Sequence, residues 1–297
     1  MLVEGAVLKV TFFGVRGSTP CSTRCTSGVG GHTSCVVIEP EHSEPLVCDL
    51  GTGLRCWGES QPLDGTFAAT ALITHFHFDH VQGLPFLACA DRVGARFTLY
   101  GPKDEGRGVA DMLHEFVRPP FFPVRLDQLR GTYACHDVSD DVFAVDRAKV
   151  TVRPVPHVGN TVGYRIEADG FSVAYIPDHQ APLDLTSIDP RVRELATNVD
   201  LLIHDAQYND VDWETKAHWG HSTFDYAMHV AEQCGVGSLA LFHHDPSRTD
   251  AHLADEVARL THRAGVAGFE VFAAAESMVL QFERQPDGRI GLLRSSL

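Results

Sequence analysis

Short apolar runs recur along the chain at spacings that suit β-strands: Val7–Phe13, Ser34–Glu39, Leu46–Asp49, Ala68–Thr74, Arg96–Tyr100, Lys149–Val155, Val162–Glu167, Ser172–Ile176, Asp200–His204, Ser238–Phe242 and Met278–Phe282. Helical patterns interleave with them. Gly83–Ala90 is one, and Arg107–Val117 is a second, with Val109, Leu113, Phe116 and Val117 on its apolar side. Ser222–Cys234 opens on a Ser/Thr pair suited to an N-cap, and Thr249–Ala264 carries Leu253, Val257 and Leu260 at helical spacing. No Pro/Ser/Gly linker divides the chain and no repeat is visible, so residues 1–297 read as one α/β domain of stacked sheets with helices outside.

Composition narrows the picture. An apolar fraction of 44% over 297 residues supports a sizeable core. No run approaches the ~20 apolar residues that a membrane span requires, and the first residues lack the basic start of a signal peptide. The eight cysteines are scattered, with Cys21 and Cys25 the closest pair and no second pair to complete a zinc finger. A reducing cytoplasm without disulfides is the expectation. The net charge is −15 and the basic residues are dispersed. Proteins that grip long polyanions usually show basic excess or a basic stripe, so the charge argues against extended nucleic acid and leaves room for a small phosphodiester.

The densest chemistry lies in Thr74-His75-Phe76-His77-Phe78-Asp79-His80, directly after an apolar run. Imidazole nitrogen and carboxylate oxygen are ligands preferred by borderline metals. His75 and His77 can grip one ion, while Asp79 and His80 face a second, as in two-metal hydrolytic sites. Further polar residues sit where apolar strands run out: His157, Asp178 followed by His179, and His243 followed by His244. Two Gly-rich turns, Phe13–Pro20 and Asp49–Gly53, match neither a P-loop nor a dinucleotide fingerprint. They read either as tight turns or as parts of the site.

The His75–His80 run resembles the HxHxDH signature of the metallo-β-lactamase superfamily. That resemblance implies an αββα sandwich of two mixed sheets with helices on the outer faces. It also implies a dinuclear centre: His75, His77 and His157 on one ion, Asp79, His80 and His243 on the other, and Asp178 bridging. Asp49 would buttress the metal loop. His179 and His244, next to two of the ligands, are candidates to line the pocket.

His204-Asp205-Ala206 and Gly220-His221-Ser222-Thr223 look like the paired segments of the tRNase Z-like phosphodiesterase branch. By that resemblance His221 is the general acid, with Asp205 as its carboxylate partner and Asp79 a second catalytic carboxylate. The plain alternative for His221 is a cap on the following helix. The bacterial tRNase Z arm, inserted between the third-motif His and the bridging Asp, has no room between His157 and Asp178. Three segments, Phe12–Pro20, Pro119–Val124 and Leu241–Pro246, are similar to a bacterial group of cyclic-phosphate or cyclic-nucleotide phosphodiesterases. On this basis Arg16, Phe121, Phe122 and His244 are candidate substrate contacts, and Pro119–Val124 is either a lid or a plug on the core.

The expectation is a metal-dependent phosphodiesterase with two divalent ions, zinc first and manganese or iron as alternatives. Its substrate would be a small cyclic phosphodiester, foremost a 3′,5′-cyclic nucleotide opened to a 5′-monophosphate. RNA 3′-end processing and a non-hydrolytic cyclic-nucleotide sensor are the alternatives. No extended nucleic acid and no membrane are expected as partners, and the resemblance admits a homodimer.

Overall fold

The computed structural model describes residues 7–284 and 290–297. Two mixed sheets face one another, with helices on both outer faces. The first contains β1 (Val7–Gly14), β2 (Cys35–Glu39), β3 (Leu46–Cys48), β4 (Ala68–Leu72), β5 (Arg96–Gly101) and β6 (Thr132–Asp137). The second contains β7 (Val142–Val145), β8 (Ala148–Pro154), β9 (Val162–Ala168), β10 (Phe171–Ile176), β11 (Leu201–Asp205), β12 (Ser238–Phe242) and β13 (Glu270–Ala273). The chain then returns to the first sheet, adding β14 (Met278–Arg284) and β15 (Ile290–Ser296) beside β1. In both sheets an antiparallel part passes into a parallel part: β3 to β6 run parallel in one, β10 to β13 in the other.

Side-chain alternation explains the layers. Leu8, Val10 and Phe12 of β1 point inward against Val150 and Val152 of β8 and Tyr164 and Ile166 of β9, forming the core between the sheets. Every residue of β10 is buried: Val173 and Tyr175 face that core, while Ala174 and Ile176 face the helices. A strand covered on both faces reads as a continuous apolar run, as Phe171–Ile176 does. Helices α1 (Gly53–Gly58) and α3 (Val109–Phe116) cover the first sheet. The second is covered by α4 (Pro190–Ala196), α6 (Phe224–Cys234) and α7 (Asp250–Ala267). Thr223 caps α6, accepting from the Tyr226 N–H at 3.1 Å, and Gly235 ends it at φ 65°.

Several elements depart from the pattern reading. Gly83–Ala90 holds only a 3-10 turn, Leu84–Phe86, which follows α2 (Phe78–Val81). The bonds there run between residues three apart, from the Leu87 N–H to the Leu84 carbonyl and from the Ala90 N–H to the Leu87 carbonyl, so no α-helical ladder forms. Helices α1, α4 and α5 (Asp210–Lys216) and strands β6, β7, β13 and β15 are additional. The interval from His157 to Asp178 is the hairpin β9–β10, turning at Asp169 and Gly170, with no room for an inserted arm. The longer excursion runs from 102 to 131, between β5 and β6, and carries α3.

Arg16 is not a substrate contact. Its side chain is fully buried, and its guanidinium donates to the carbonyls of Gly30 (2.7 Å), Arg248 (2.8 Å), Asp245 (3.3 Å) and Thr26 (3.4 Å). It ties the loop after β1 to the loop before α7. A buried carbonyl left without a donor costs about 1–3 kcal/mol. Arg16→Met should therefore lower unfolding stability by several times about 1 kcal/mol, visible as a lower urea midpoint. A raised KM with an unchanged midpoint would return Arg16 to the substrate side.

Candidate metal centre

The site sits where strands of both sheets end, the usual place for ligands on parallel sheets. Asp49 follows β3, Thr74–His80 follows β4, His157 follows β8, and Asp178 follows β10. Asp205 closes β11 and His243 follows β12 at φ 58°, a left-handed conformation that turns its ring back across the sheet end.

The seven predicted ligand side chains meet in one place. His75 Nε2 lies 2.8 Å from His77 Nδ1, and His157 Nε2 lies 3.4 Å from the same atom. On the other side, His243 Nε2 is 3.1 Å from Asp79 Oδ2 and 3.2 Å from His80 Nε2. Asp178 stands between the groups. Its Oδ1 faces His157 at 3.6 Å and His75 at 4.0 Å, and its Oδ2 faces His80 at 3.0 Å and His243 at 3.3 Å. The trios His75/His77/His157 and Asp79/His80/His243 each offer donor atoms within 4.8 Å of one another.

This donor set fits divalent cations. Asp178 Oδ2 is buried with no hydrogen-bond partner, although a buried carboxylate oxygen normally finds a donor. Burial pushes His75, His77 and His157 below the usual imidazole range, so they stand as neutral donors. Burial also works against charge on Asp79 and Asp178, but the facing imidazoles, His80 foremost for Asp79 and His243 for Asp178, hold both carboxyls well below their usual range. His80 is the complement: burial lowers it, yet Asp178, Asp79 and Asp49 outweigh that and hold a proton on it. Cations bound among these carboxylates would take the place of that proton.

Surrounding bonds fix the rings. Asp49 Oδ2 accepts from His80 Nδ1 at 2.8 Å, and the Thr74 N–H donates to Asp49 Oδ1 at 2.8 Å. Tyr175 Oη donates to the same carboxylate at 3.0 Å. His157 Nδ1 donates to the Gly220 carbonyl at 2.6 Å, leaving Nε2 for the pocket. Gly220 sits at φ 96°, and a Cβ there would fall 2.6 Å from the His157 ring. Such partners set tautomer and basicity in metal sites.

Two further positioning residues escaped the sequence reading. Gln207 Oε1 accepts from His243 Nδ1 at 2.8 Å, and the Ser18 N–H donates to Asp79 Oδ2 at 2.7 Å. Gln207 directly follows the His204–Ala206 segment and Ser18 lies in the first Gly-rich turn, but only the fold shows what they touch.

His221 lines the pocket, and its Nδ1 donates to Asp205 Oδ2 at 2.9 Å. Burial pulls His221 down, but Asp205, Asp178 and Asp79 together raise it above its ordinary value. The cap of α6 falls to Thr223, so the capping alternative for His221 is not what forms. The cavity over the cluster measures about 360 Å³ and is lined by Ser18, Phe76, His77, Phe78, Asp79, Asp178, His221 and His243.

His244 and His179 do not reach this cavity. His244 is fully buried, with Nε2 donating to the Ala274 carbonyl at 2.9 Å, and burial pushes it down to about 3. His179 is also buried, 3.0 Å from His204 Nε2. Each ring is held away from the cluster by a buried partner of its own, the Ala274 carbonyl for His244 and the His204 ring for His179. The Pro119–Val124 segment divides. Phe122 is half-buried, packed on the helix-covered core and edge-on to Phe86 at 5.8 Å, whereas Phe121 is 76% exposed.

The family model described as the beta-lactamase superfamily domain matches residues 59–244. A ribonuclease Z of Natronomonas pharaonis is 26% identical, over 80% of this chain and 86% of its own length. Among solved structures, the metallo-β-lactamase fold protein YhfI of Bacillus subtilis aligns with a TM-score of 0.69 at 18% identity, covering 93% of this chain and 99% of its own. Human tRNase Z, short form, aligns at 0.66 with 21% identity, covering 91% and 98%. These findings overturn the cyclic-nucleotide reading and, with it, the exclusion of extended nucleic acid, because curated relatives spanning most of the chain are named for cleaving RNA. The physical reason is that net charge sums over the whole surface. It does not say what charge borders the pocket, and Asp49, Asp79 and Asp178 count toward it although they are buried in the cluster.

The wiring of His243 gives a direct test. Gln207→Ala should weaken metal binding by roughly 10–100-fold while leaving the fold intact. Competition with a chromogenic chelator measures it, and unchanged affinity would show that Gln207 does not set the His243 ring.

Proposed function

Because the chain belongs to the beta-lactamase superfamily domain family, matched over more than half its length, we propose that this metal-dependent phosphodiester hydrolase cleaves RNA, at the 3′ end of a tRNA-type precursor. The observation that carries this reading is the His221–Asp205 pair, bonded at 2.9 Å and opening on the same cavity as the metal cluster. Expelling a ribose alkoxide requires a proton donor at the leaving oxygen, and a carboxylate-backed imidazole is built for that task. The ribonuclease Z relatives support the choice of substrate.

His75, His77 and His157 would hold one ion, Asp79, His80 and His243 the other, with Asp178 between them. Divalent ions bound there supply Lewis acidity, lowering the pKa of water and offsetting charge on the phosphoryl oxygens. Zinc is our assignment, since the set is imidazole and carboxylate without thiolate, and manganese or iron would suit the same donors. The chain's own residues do the remainder. Asp205 holds the His221 tautomer with Nδ1–H toward itself, so Nε2 is the atom that gives its proton to the leaving oxygen. Asp79, kept ionised by its imidazole neighbours and steadied by the Ser18 N–H, orients the attacking water. The fold acts as one hydrolase domain over residues 1–297. No described helix is long and apolar enough to cross a membrane, and we place the protein in the cytoplasm, where its cysteines stay free.

Purified protein should carry close to two transition-metal ions per chain by elemental analysis and trim a precursor tRNA at its 3′ end. Full RNA cleavage in excess chelator after metal removal would overturn the assignment.

His221→Ala should keep its metal and fold yet lower kcat on RNA by roughly 10²–10⁴-fold. The loss should be smaller on bis(p-nitrophenyl) phosphate, whose leaving group is stable without a proton. Equal losses on both substrates would remove His221 from the catalytic residues.

A further inference from the structure

We propose that the aromatic wall beside the metal pocket is a base-stacking platform, which holds unpaired nucleotides of a single-stranded RNA end while a neighbouring phosphate is cleaved. The proposal rests on the RNA reading above and names how such a substrate is gripped.

Phe78 is the central residue. It lies inside the metal loop, between His77 and Asp79, yet it is 72% exposed. It lines the metal cavity and also two adjoining cavities. One, of about 560 Å³, is lined by Arg55, Phe86, Phe116, Phe121 and Phe122 among others. The other, of about 250 Å³, includes Phe76, Arg107, Met112, Phe116 and Phe121. The three hollows therefore meet along Phe78, and the reacting phosphate would sit at one end of a trough with aromatic walls.

Phe76, Phe116 and Phe122 pack against the core with part of their surface, whereas Phe78, Phe86 and Phe121 are largely exposed. Phe121 is 76% exposed and Phe86 58% exposed, while Phe78 meets Phe116 at 5.9 Å between ring centroids. Exposed aromatics gathered at a cleft are a binding feature more often than a packing one. The Arg118 guanidinium lies 5.9 Å from the Phe121 ring, a second flat cation at the same wall. Arg55 pairs with Glu59, and Arg107 pairs with Glu115 and, at 3.8 Å, with Glu105; both keep further N–H donors.

Nucleobases are the occupant this chemistry favours. Ring faces accept any base by stacking, and guanidinium groups beside them meet phosphates or stack in turn. A purely aliphatic partner would make no use of the arginines. The metal cavity, at about 360 Å³, is too small for more than the reacting phosphate and its immediate neighbours, so a polymer must run out along an adjoining wall. The 102–131 excursion supplies that wall through Phe116, Phe121 and Phe122 in a chain whose β9–β10 hairpin carries no arm.

The test uses the metal-loaded enzyme and two substrates. One is an RNA with a single-stranded 3′ extension, and the other is bis(p-nitrophenyl) phosphate, which is too short to reach the platform. A cleavage-resistant oligonucleotide carrying 2-aminopurine reports stacking by fluorescence quenching. Wild-type protein should quench the label. The F78A/F121A double variant should lose that quenching and raise KM for the extended RNA by roughly 5–150-fold, with KM for the small ester unchanged. Phe121→Trp in the F78A background should restore both. Both side chains are largely exposed, so melting temperature should fall little.

If wild-type cleaves the RNA and the double variant keeps its KM and its quenching, the platform is overturned and the RNA reading stands. Quenching that depends on Phe78 and Phe121 without any RNA cleavage supports the platform and overturns the processing reading. Neither quenching nor cleavage overturns both. A wild-type dimer by ultracentrifugation that the double variant breaks, with quenching retained, would assign the wall to a second copy of the chain instead.

Discussion

Buried negative charge at the meeting of the two sheets is the constraint on which this molecule depends. Asp49, Asp79 and Asp178 all surround the His80 ring, and none is appreciably exposed. Carboxylates taken out of water are costly unless paired and hydrogen-bonded. Asp49 is satisfied by Thr74, Tyr175 and His80. Asp178 is held less well, since its Oδ2 faces His80 and His243 without a well-formed hydrogen bond. A cluster of this kind suits divalent cations, whose binding would offset the cost of burying these carboxylates.

That constraint explains the architecture around it. Two sheets that each pass from antiparallel to parallel bring the ends of β3, β4, β10, β11 and β12 toward one edge of the sandwich. Polar groups appear at each end where apolar packing stops, a single side chain after most strands and the His75–His80 run after β4. The positive φ of Asp49 and of His243, at 60° and 58°, is the local strain accepted to aim those side chains inward. Arg16 and Gln207 hold the loops between these ends, one through four carbonyls and the other through His243.

Substrate choice then depends on what borders the pocket, because the metal chemistry is indifferent to what carries the phosphodiester. The short β9–β10 hairpin and the net charge of −15 both pointed toward a small molecule. The curated relatives point instead to RNA. The two are compatible if affinity comes from stacking rather than from long-range attraction, since stacking is a contact effect and does not depend on total charge.

The sequence by itself determined the chemistry and most of the scaffold. The HxHxDH run, the polar residues closing apolar strands, and the GHST segment gave the metal donors and the acid candidate, because strand ends and ligand spacing are local properties. It missed β6, β7, β13 and β15, which are short or half-exposed and are strands only because a neighbour pairs with them. It read a helix at Gly83–Ala90, where only the short turn Leu84–Phe86 forms. The family resemblance already chose His243 and Asp178 as ligands, and tertiary structure decided what surrounds them. His244 and His179, candidates to line the pocket, point away, Arg16 is a buried tie, and Gln207 and Ser18 touch the ligands. Those outcomes depend on backbone direction and on partners from distant parts of the chain, and neither is encoded in local spacing.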